Sequence, residues 1–304
     1  MFRLLPKSLA ADTFVEMESE HQEMLIRGFS DKELGEVVDE LNVDDAADLA
    51  DEMPANVVSR ILAQASPEKR REINEILRYP ENSAGSIMTT EFVSLRVDMT
   101  VAEAIQRIRL TGVDKETIYT CYVTENRHLL GILSVKDLLL TLDDNKRVGE
   151  IMDTNVISVN TLTDQEEVAH RLSKYNFIAL PVVDTENRMV GIVTFDDAMD
   201  VIEEETTEDI EIMGGMTPSE KPYLRSSPVE LFKHRIPWLM LLMVSATFTG
   251  MIINGFESAL AAQVVLTSFI PMLMDTGGNS GSQASVTIIR AISLGELEFS
   301  DLPK

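Results

Sequence analysis

The chain carries an internal repeat. Ser86-Ile87-Met88-Thr89 returns as Glu150-Ile151-Met152-Asp153, and the heptapeptide Gly131 to Asp137 (GILSVKD) returns as Gly191 to Asp197 (GIVTFDD). Between these markers Thr100-Val101-Ala102-Glu103 recurs as Thr163-Asp164-Gln165-Glu166, each read as a capping box that opens a helix. Runs rich in β-branched and aromatic residues follow in both copies, 118–123 then 129–133 in the first and 179–183 then 189–193 in the second. A unit of about sixty residues with the order β-α-β-β-α, present twice over 81–204, makes the middle of the chain a mixed α and β structure.

Residues 1–80 have helical periodicity instead. Ser30 to Glu33 is a capping box ahead of Leu34, Val37, Val38 and Leu41. Asn42 is placed to cap the next helix, whose start holds Asp44, Asp45 and Asp48. Ser66-Pro67 opens another, with Ile73, Ile76 and Leu77 on one face. The expectation is a stack of helix pairs, of either hand.

Charge narrows the possible partners. The chain has 26 Lys and Arg against 51 Asp and Glu, a formal charge of −25, and nearly all of the excess precedes residue 236. Such a surface repels nucleic acid and anionic lipid and attracts cations. Nine carboxylates and no base lie between Asp196 and Glu211. On a helix, like charges three and four residues apart cost about 0.2–0.5 kcal/mol per pair, which a bridging cation relieves. Oxygen ligands without His or Cys suit Mg2+ or Ca2+. The same run also reads as a solvated linker helix. An enzyme finds little footing, because His21, His128, His170 and His234 are scattered and no nucleophile sits beside a base. Cys121 is the single cysteine, so there is no disulfide framework.

The C-terminal part has membrane character. Eighteen residues from Ile236 to Ile253 carry no charge, and Trp238 stands where an interfacial aromatic belongs. A second uncharged run covers Ser258 to Met274 and continues, weakly polar, to Ile289, so two spans are expected. Inside it lies the string PMLMDTGGNSGSQ at 271–283, whose Gly277, Gly278 and Gly281 are expected to break helical regularity. Asn279, Ser280, Ser282 and Gln283 are costly against lipid, so the string either lines a wet path or packs helices together. Lys233, His234 and Arg235 precede the first run and Arg290 follows the second, which places residues 1–235 in the cytoplasm of a multi-pass cell-membrane protein. The opening MFRLLPKSLA lacks the apolar length of a signal peptide.

The repeat, with its IMT marker, internal strand pair and closing G-I-[LV]-[ST]-x-x-D, resembles a tandem pair of CBS domains. That resemblance implies a cleft for an adenine nucleotide such as ATP, with Asp137 and Asp197 as ribose ligands and Phe177 against the base, although core packing is an equal account of Phe177 and Ile178. No glycine-rich phosphate loop is present. The whole chain, ending in Pro271, Thr276, Gly277, Gly278, Asn279, Gly281 and Gln283, resembles the MgtE family of magnesium channels. The implied fold class is α+β multidomain. A helical N domain occupies 1–80, CBS units 81–144 and 145–204, a connecting "plug" helix 205–234, and an α-helical transmembrane region 235–304.

The resemblance further implies a homodimer in the lipid bilayer that passes Mg2+ and closes when cytosolic Mg2+ is high. Its sensor acids fall on Asp12, Asp44 and Asp48, on Asp164, Glu166, Asp197 and Asp200, and on Glu205, Glu208 and Asp209. Thr276, Gly277, Gly278, Asn279, Gly281 and Gln283 become pore-lining candidates. Asn176 departs from relatives that carry a carboxylate there. The family has five membrane helices with a pore carboxylate on the last, and two candidate spans precede Lys304 here. The alternative is a membrane-tethered CBS module that senses nucleotide without transport of its own.

Overall fold

The computed structural model describes residues 5–17, 19–219, 226–294 and 297. Parts of the opening segment, of the expected connecting segment 205–234 and of the C-terminal end lie outside these residues. The chain divides into two compact units, Met1–Ile202 and Glu203–Lys304.

The first unit opens with six helices: α1 (Lys7–Val15), α2 (Ser19–Gly28), α3 (Asp31–Glu40), α4 (Val43–Glu52), α5 (Ala55–Gln64) and α6 (Pro67–Ile76). Their apolar stripes meet around Phe14, Ile26, Leu34, Val38, Ile61 and Ile73, each burial worth about 1.5–3 kcal/mol. The Ser30–Glu33 capping box forms in both directions, and the Ser66 hydroxyl accepts from the Lys69 N–H at 3.3 Å. Asn42 corrects the expectation: it holds the N-cap position of α4, but its side chain makes no cap bond. The first-turn acid Asp45 reaches back to the Asn42 backbone N–H instead, so only the return half of a capping box is used.

Each repeat folds as read. The first comprises β1 (Phe92–Leu95), α7 (Val101–Thr111), β2 (Thr117–Glu125), β3 (His128–Ser134) and α8 (Val135–Leu140). A short helix, α9 (Val148–Ile151), leads into β4 (Val159–Asn160), α10 (Gln165–Tyr175), β5 (Ala179–Val183), β6 (Met189–Thr194) and α11 (Phe195–Met213). Both sheets have three strands in sequence order, the first pair parallel and the second antiparallel. Thr100 and Glu103 form the expected box on α7. On α10 the cap moves by one residue. Asp164 is the N-cap and accepts from the Glu166 N–H at 2.9 Å, while the Thr163 hydroxyl accepts from the Asn160 N–H. A carboxylate caps as well as a hydroxyl does, so the motif fits two registers.

The repeated markers have a steric reason. The IMT segment of each repeat pairs with the third strand of the other: Thr89 and Ile192 exchange backbone hydrogen bonds at 2.8 and 2.9 Å, and Asp153 and Ile132 exchange theirs at 2.9 Å each. A Cβ at Gly191 would lie 2.7 Å from both Met88 Sδ and Thr89 O, and one at Gly131 would lie 2.7 Å from Met152 Sδ and 2.8 Å from Asp153 O. Gly191→Ala should therefore cost about 1–3 kcal/mol through overpacking, read as a lowered urea midpoint. An unchanged midpoint would mean that the exchanged strands part without loss.

The second unit begins within α11, which runs unbroken across the expected domain boundary at 204/205. α12 (Pro228–Gly255) starts with a complete Ser227–Glu230 capping box and Pro228 in its first turn, and it contains the expected span 236–253. Among the described residues it is the one helix long and apolar enough to cross a membrane, with an 18-residue window of mean hydropathy 1.9.

The second uncharged run is not a single span. It is divided among α13 (Glu257–Ala262), a 3-10 segment Val264–Ser268 and the first turns of α14 (Phe269–Ser293). The expectation at the glycines is also corrected: α14 passes through Gly277, Gly278 and Gly281 without a break. Each glycine costs a helix about 1 kcal/mol, a local preference that the 25-residue helix overrides here. Thr276 and Thr287 turn their hydroxyls back onto Met272 O and Gln283 O at 2.8 Å each.

Candidate cation site

The start of α4 faces an acidic environment inside the first unit. Asp44 is 6% exposed, and its Oδ1 has no hydrogen-bond partner. Burial raises its carboxyl well above the ordinary range, and the charges of Asp197, Asp45 and Glu116 push the same way. Asp45 is raised to about 6, by burial first and then by Asp197, with Lys69 and the Asn42 N–H pulling back. Glu116, just before β2, is raised to about 7 by burial and then by Asp197, Asp196 and Asp45. Its Oε2 is likewise buried without a partner.

Asp197 is common to all three. It lies in the first turn of α11, where its Oδ2 accepts from the Thr194 hydroxyl at 2.5 Å and from the Thr194 N–H at 3.3 Å. Burial raises its carboxyl, the Thr194 bonds oppose this, and Asp196 and Asp200 add to the rise. A cationic side chain enters this region from α6. Lys69, 8% exposed, places Nζ 3.0 Å from Glu91 Oε1.

The helical domain thus meets the second repeat through carboxylates that repel one another and have too few donors. The chemistry suits a hard cation. Among the described residues no three His, Cys, Asp or Glu side chains gather as a ready ligand cage. Carboxylate oxygens are the donors that Mg2+ takes, one or two at a time, with several waters kept.

The remaining sensor candidates are dispersed. Asp12 on α1, Asp48 on α4 and Asp164 at the cap of α10 are exposed; Glu166 lies 3.8 Å from His170 Nε2. Asp200 is exposed on α11. Glu205, Glu208 and Asp209 fall in the second unit, on the later turns of the same helix. Among the pore-lining candidates, Thr276, Gly277, Gly278, Asn279, Gly281 and Gln283 are all exposed on α14, and Asn279 Nδ2 donates to Asp275 Oδ2 at 3.4 Å.

The two nucleotide carboxylates differ. Asp137 is exposed on α8, accepting from the Ser134 hydroxyl at 2.5 Å, whereas Asp197 is half-buried and belongs to the acidic group around Asp44. Phe177 packs against the second repeat's core and stacks on Tyr175 with ring centroids 5.5 Å apart.

Asp45, Glu116, Lys69 and Glu91 were missed as site residues. Lys69 had left a signal, since it precedes Ile73 and Ile76 at helical spacing and so sits on the buried stripe of α6.

Comparison with known proteins identifies the domains. The MgtE intracellular N domain family matches residues 1–82, and the CBS domain family matches 84–144 and 148–204. Magnesium transporter MgtE of Thermus thermophilus is 41% identical over 303 residues, covering 98% of this chain and 67% of that protein. Magnesium transporter MgtE of Enterococcus faecalis is 36% identical over 228 residues, covering 75% of this chain and 49% of that protein. A crystal structure of the cytosolic domain of the Mg2+ channel MgtE in complex with ATP superposes with a TM-score of 0.63 at 41% identity, over 66% of this chain and 82% of that one. The chain therefore spans about two thirds and one half of the two transporters' lengths.

Proposed function

Because this chain belongs to the MgtE family of magnesium transporters, we propose that it is the Mg2+-sensing part of a Mg2+ channel together with the first part of its membrane region. The buried carboxylate of Asp44, whose Oδ1 has no hydrogen-bond partner, set under the charge of Asp197, carries this reading. Without a cation the acids repel, and the helical domain is held to the repeats less firmly. A hydrated Mg2+ between them removes the repulsion and favours the closed arrangement. At ten times its Kd a weak site contributes about 1.4 kcal/mol, so a few such sites shift a population by orders of magnitude. Asp12, Asp48, Asp164, Glu166, Asp200, Glu205, Glu208 and Asp209 supply the further sites. In this reading the chain works as a homodimer in the cell membrane, with residues 1–235 cytoplasmic.

Millimolar Mg2+ should protect residues 195–212 from proteolysis, and Asp44→Ala should weaken that protection. Equal cleavage with and without Mg2+ would sink the sensor.

A second role is compatible with the first. The exposed Asp137 leaves a carboxylate able to accept ribose hydroxyls, and the solved relative is complexed with ATP. Nucleotide binding is assigned to the Asp137 side of the pair. Asp137→Ala should abolish ATP binding seen by calorimetry while the Mg2+ protection stays.

A further inference from the structure

The first two turns of α12 lie outside its uncharged span. At about 1.5 Å per residue the 28-residue helix is about 42 Å long, the thickness of a bilayer with its headgroups. The uncharged stretch Ile236 to Ile253 is matched to the hydrocarbon core alone. Residues 228–235 therefore stand at headgroup depth when the helix spans.

The two faces of that stretch differ. Residues 215–217 cover one of them. Thr217 N–H donates to His234 O at 2.9 Å, His234 Nδ1 bonds to Thr217 O at 3.1 Å, and a Cβ on Gly215 would lie 2.5 Å from the Trp238 ring. On the opposite face Val229 and Phe232 are 63% and 58% exposed. With Ile236 they recur at i, i+3 and i+7, which makes one apolar stripe. Lys233 borders the stripe on one side and Arg235 on the other, and both are exposed. Neither forms an ion pair among the described residues, although the chain holds 51 Asp and Glu. Arg235 Nε donates to Met216 Sδ at 3.4 Å, a neutral and weak acceptor that leaves the guanidinium charge unmatched.

We propose that Lys233 and Arg235, flanking the stripe Val229–Phe232–Ile236, form a binding surface for the headgroups of anionic phospholipid in the cytoplasmic leaflet. The inference rests on the membrane placement proposed above, with residues 1–235 cytoplasmic. A phosphodiester meets the cations, Arg235 through its planar fork and Lys233 as a point charge. The stems of both side chains run along the stripe while their heads stay at the phosphates. Phe232 and Val229 give the surface its lipid character, because acyl and glycerol carbons cover them and a free phosphate ion does not. The contact is confined to this part of the helix, since a chain of formal charge −25 otherwise repels anionic lipid.

Trp238 is the single tryptophan of the chain and follows Arg235 by one helical turn, so its fluorescence reads the lipid beside the surface. The experiment reconstitutes the chain in vesicles of phosphatidylcholine and phosphatidylglycerol at equal mole fractions, with bromine on the acyl chains of one lipid or of the other. Brominated phosphatidylglycerol should quench Trp238 more than brominated phosphatidylcholine does. A cation near such a surface favours the anionic lipid about fivefold, so Lys233→Gln and Arg235→Gln should each lower the preference by about that factor. The double variant should lose it, and Arg235→Lys should keep most of it. The preference should fall with added NaCl and persist in inorganic phosphate at constant ionic strength. Circular dichroism checks that helicity is kept in every variant. Equal quenching by the two lipids in wild type, or an undiminished preference in the double variant, overturns the inference. Loss of the preference in inorganic phosphate overturns it as well, because the surface then takes a free anion. If neither brominated lipid quenches Trp238, the membrane placement of α12 fails, and the lipid surface with it.

Discussion

Lys69→Met should destabilise the first unit by about 2–4 kcal/mol, because removing one partner strands a buried charge. Lys69 Nζ is 3.0 Å from Glu91 Oε1, with side chains 9% and 16% exposed. Methionine nearly matches the volume, so the loss is electrostatic rather than a cavity. Glu91 would be left in a region where Glu72 is already raised, by burial first and then by Glu91 itself. Lys69 belongs to the helical domain and Glu91 to the chain opening β1, so the pair joins the two parts as well as stabilising each. Urea unfolding checks the number. The double variant Lys69→Met/Glu91→Leu should recover most of the loss, since a well-packed apolar pair replaces a buried ion pair at little cost. Mg2+ should restore more stability to Lys69→Met than to wild type, because the variant lacks a resident cation among the acids. A single variant as stable as wild type would show that solvent reaches Glu91 freely.

Much of the fold was legible because its constraints are local. Gly131 and Gly191 must be glycines where Met152 and Met88 approach, so the repeat shows directly in the residues. Capping boxes at Ser30 and Thr100 marked true helix starts, and the shift from Thr163 to Asp164 arose where two adjacent residues can both cap. The glycine string misled for a physical reason: propensity is a weak local preference, and three glycines at about 1 kcal/mol each did not interrupt a 25-residue helix. The site was half legible. Asp44 and Asp197 are named from the sequence and Lys69 is placed on the buried stripe of α6 by its spacing, whereas Glu116 joins them only through tertiary packing that no period encodes.

Without Mg2+, the first unit should become more stable as pH falls from about 7 to about 4. The sign follows from the direction of the shifts. Asp45 rises from 3.8 to about 6 and Glu116 from 4.5 to about 7, with Asp44 raised as well. The folded state therefore binds more protons than the unfolded one across this window, and stability is lost as pH climbs through the folded values. Mg2+ competes with those protons, so adding it near pH 6.5 should release protons into a weakly buffered solution. Asp44→Asn removes the buried charge and provides an N–H that can donate to a neighbouring carboxylate. The variant should gain about 1–3 kcal/mol at pH 8 in EDTA, flatten the pH profile and weaken the Mg2+ response. Glu116→Gln should do the same to a smaller degree, because Glu116 is less buried. Urea midpoints at pH 5 and pH 8, with EDTA and with Mg2+, decide the matter. If Asp44→Asn keeps the wild-type pH profile and Mg2+ response, the buried carboxylates are not what holds the helical domain in check.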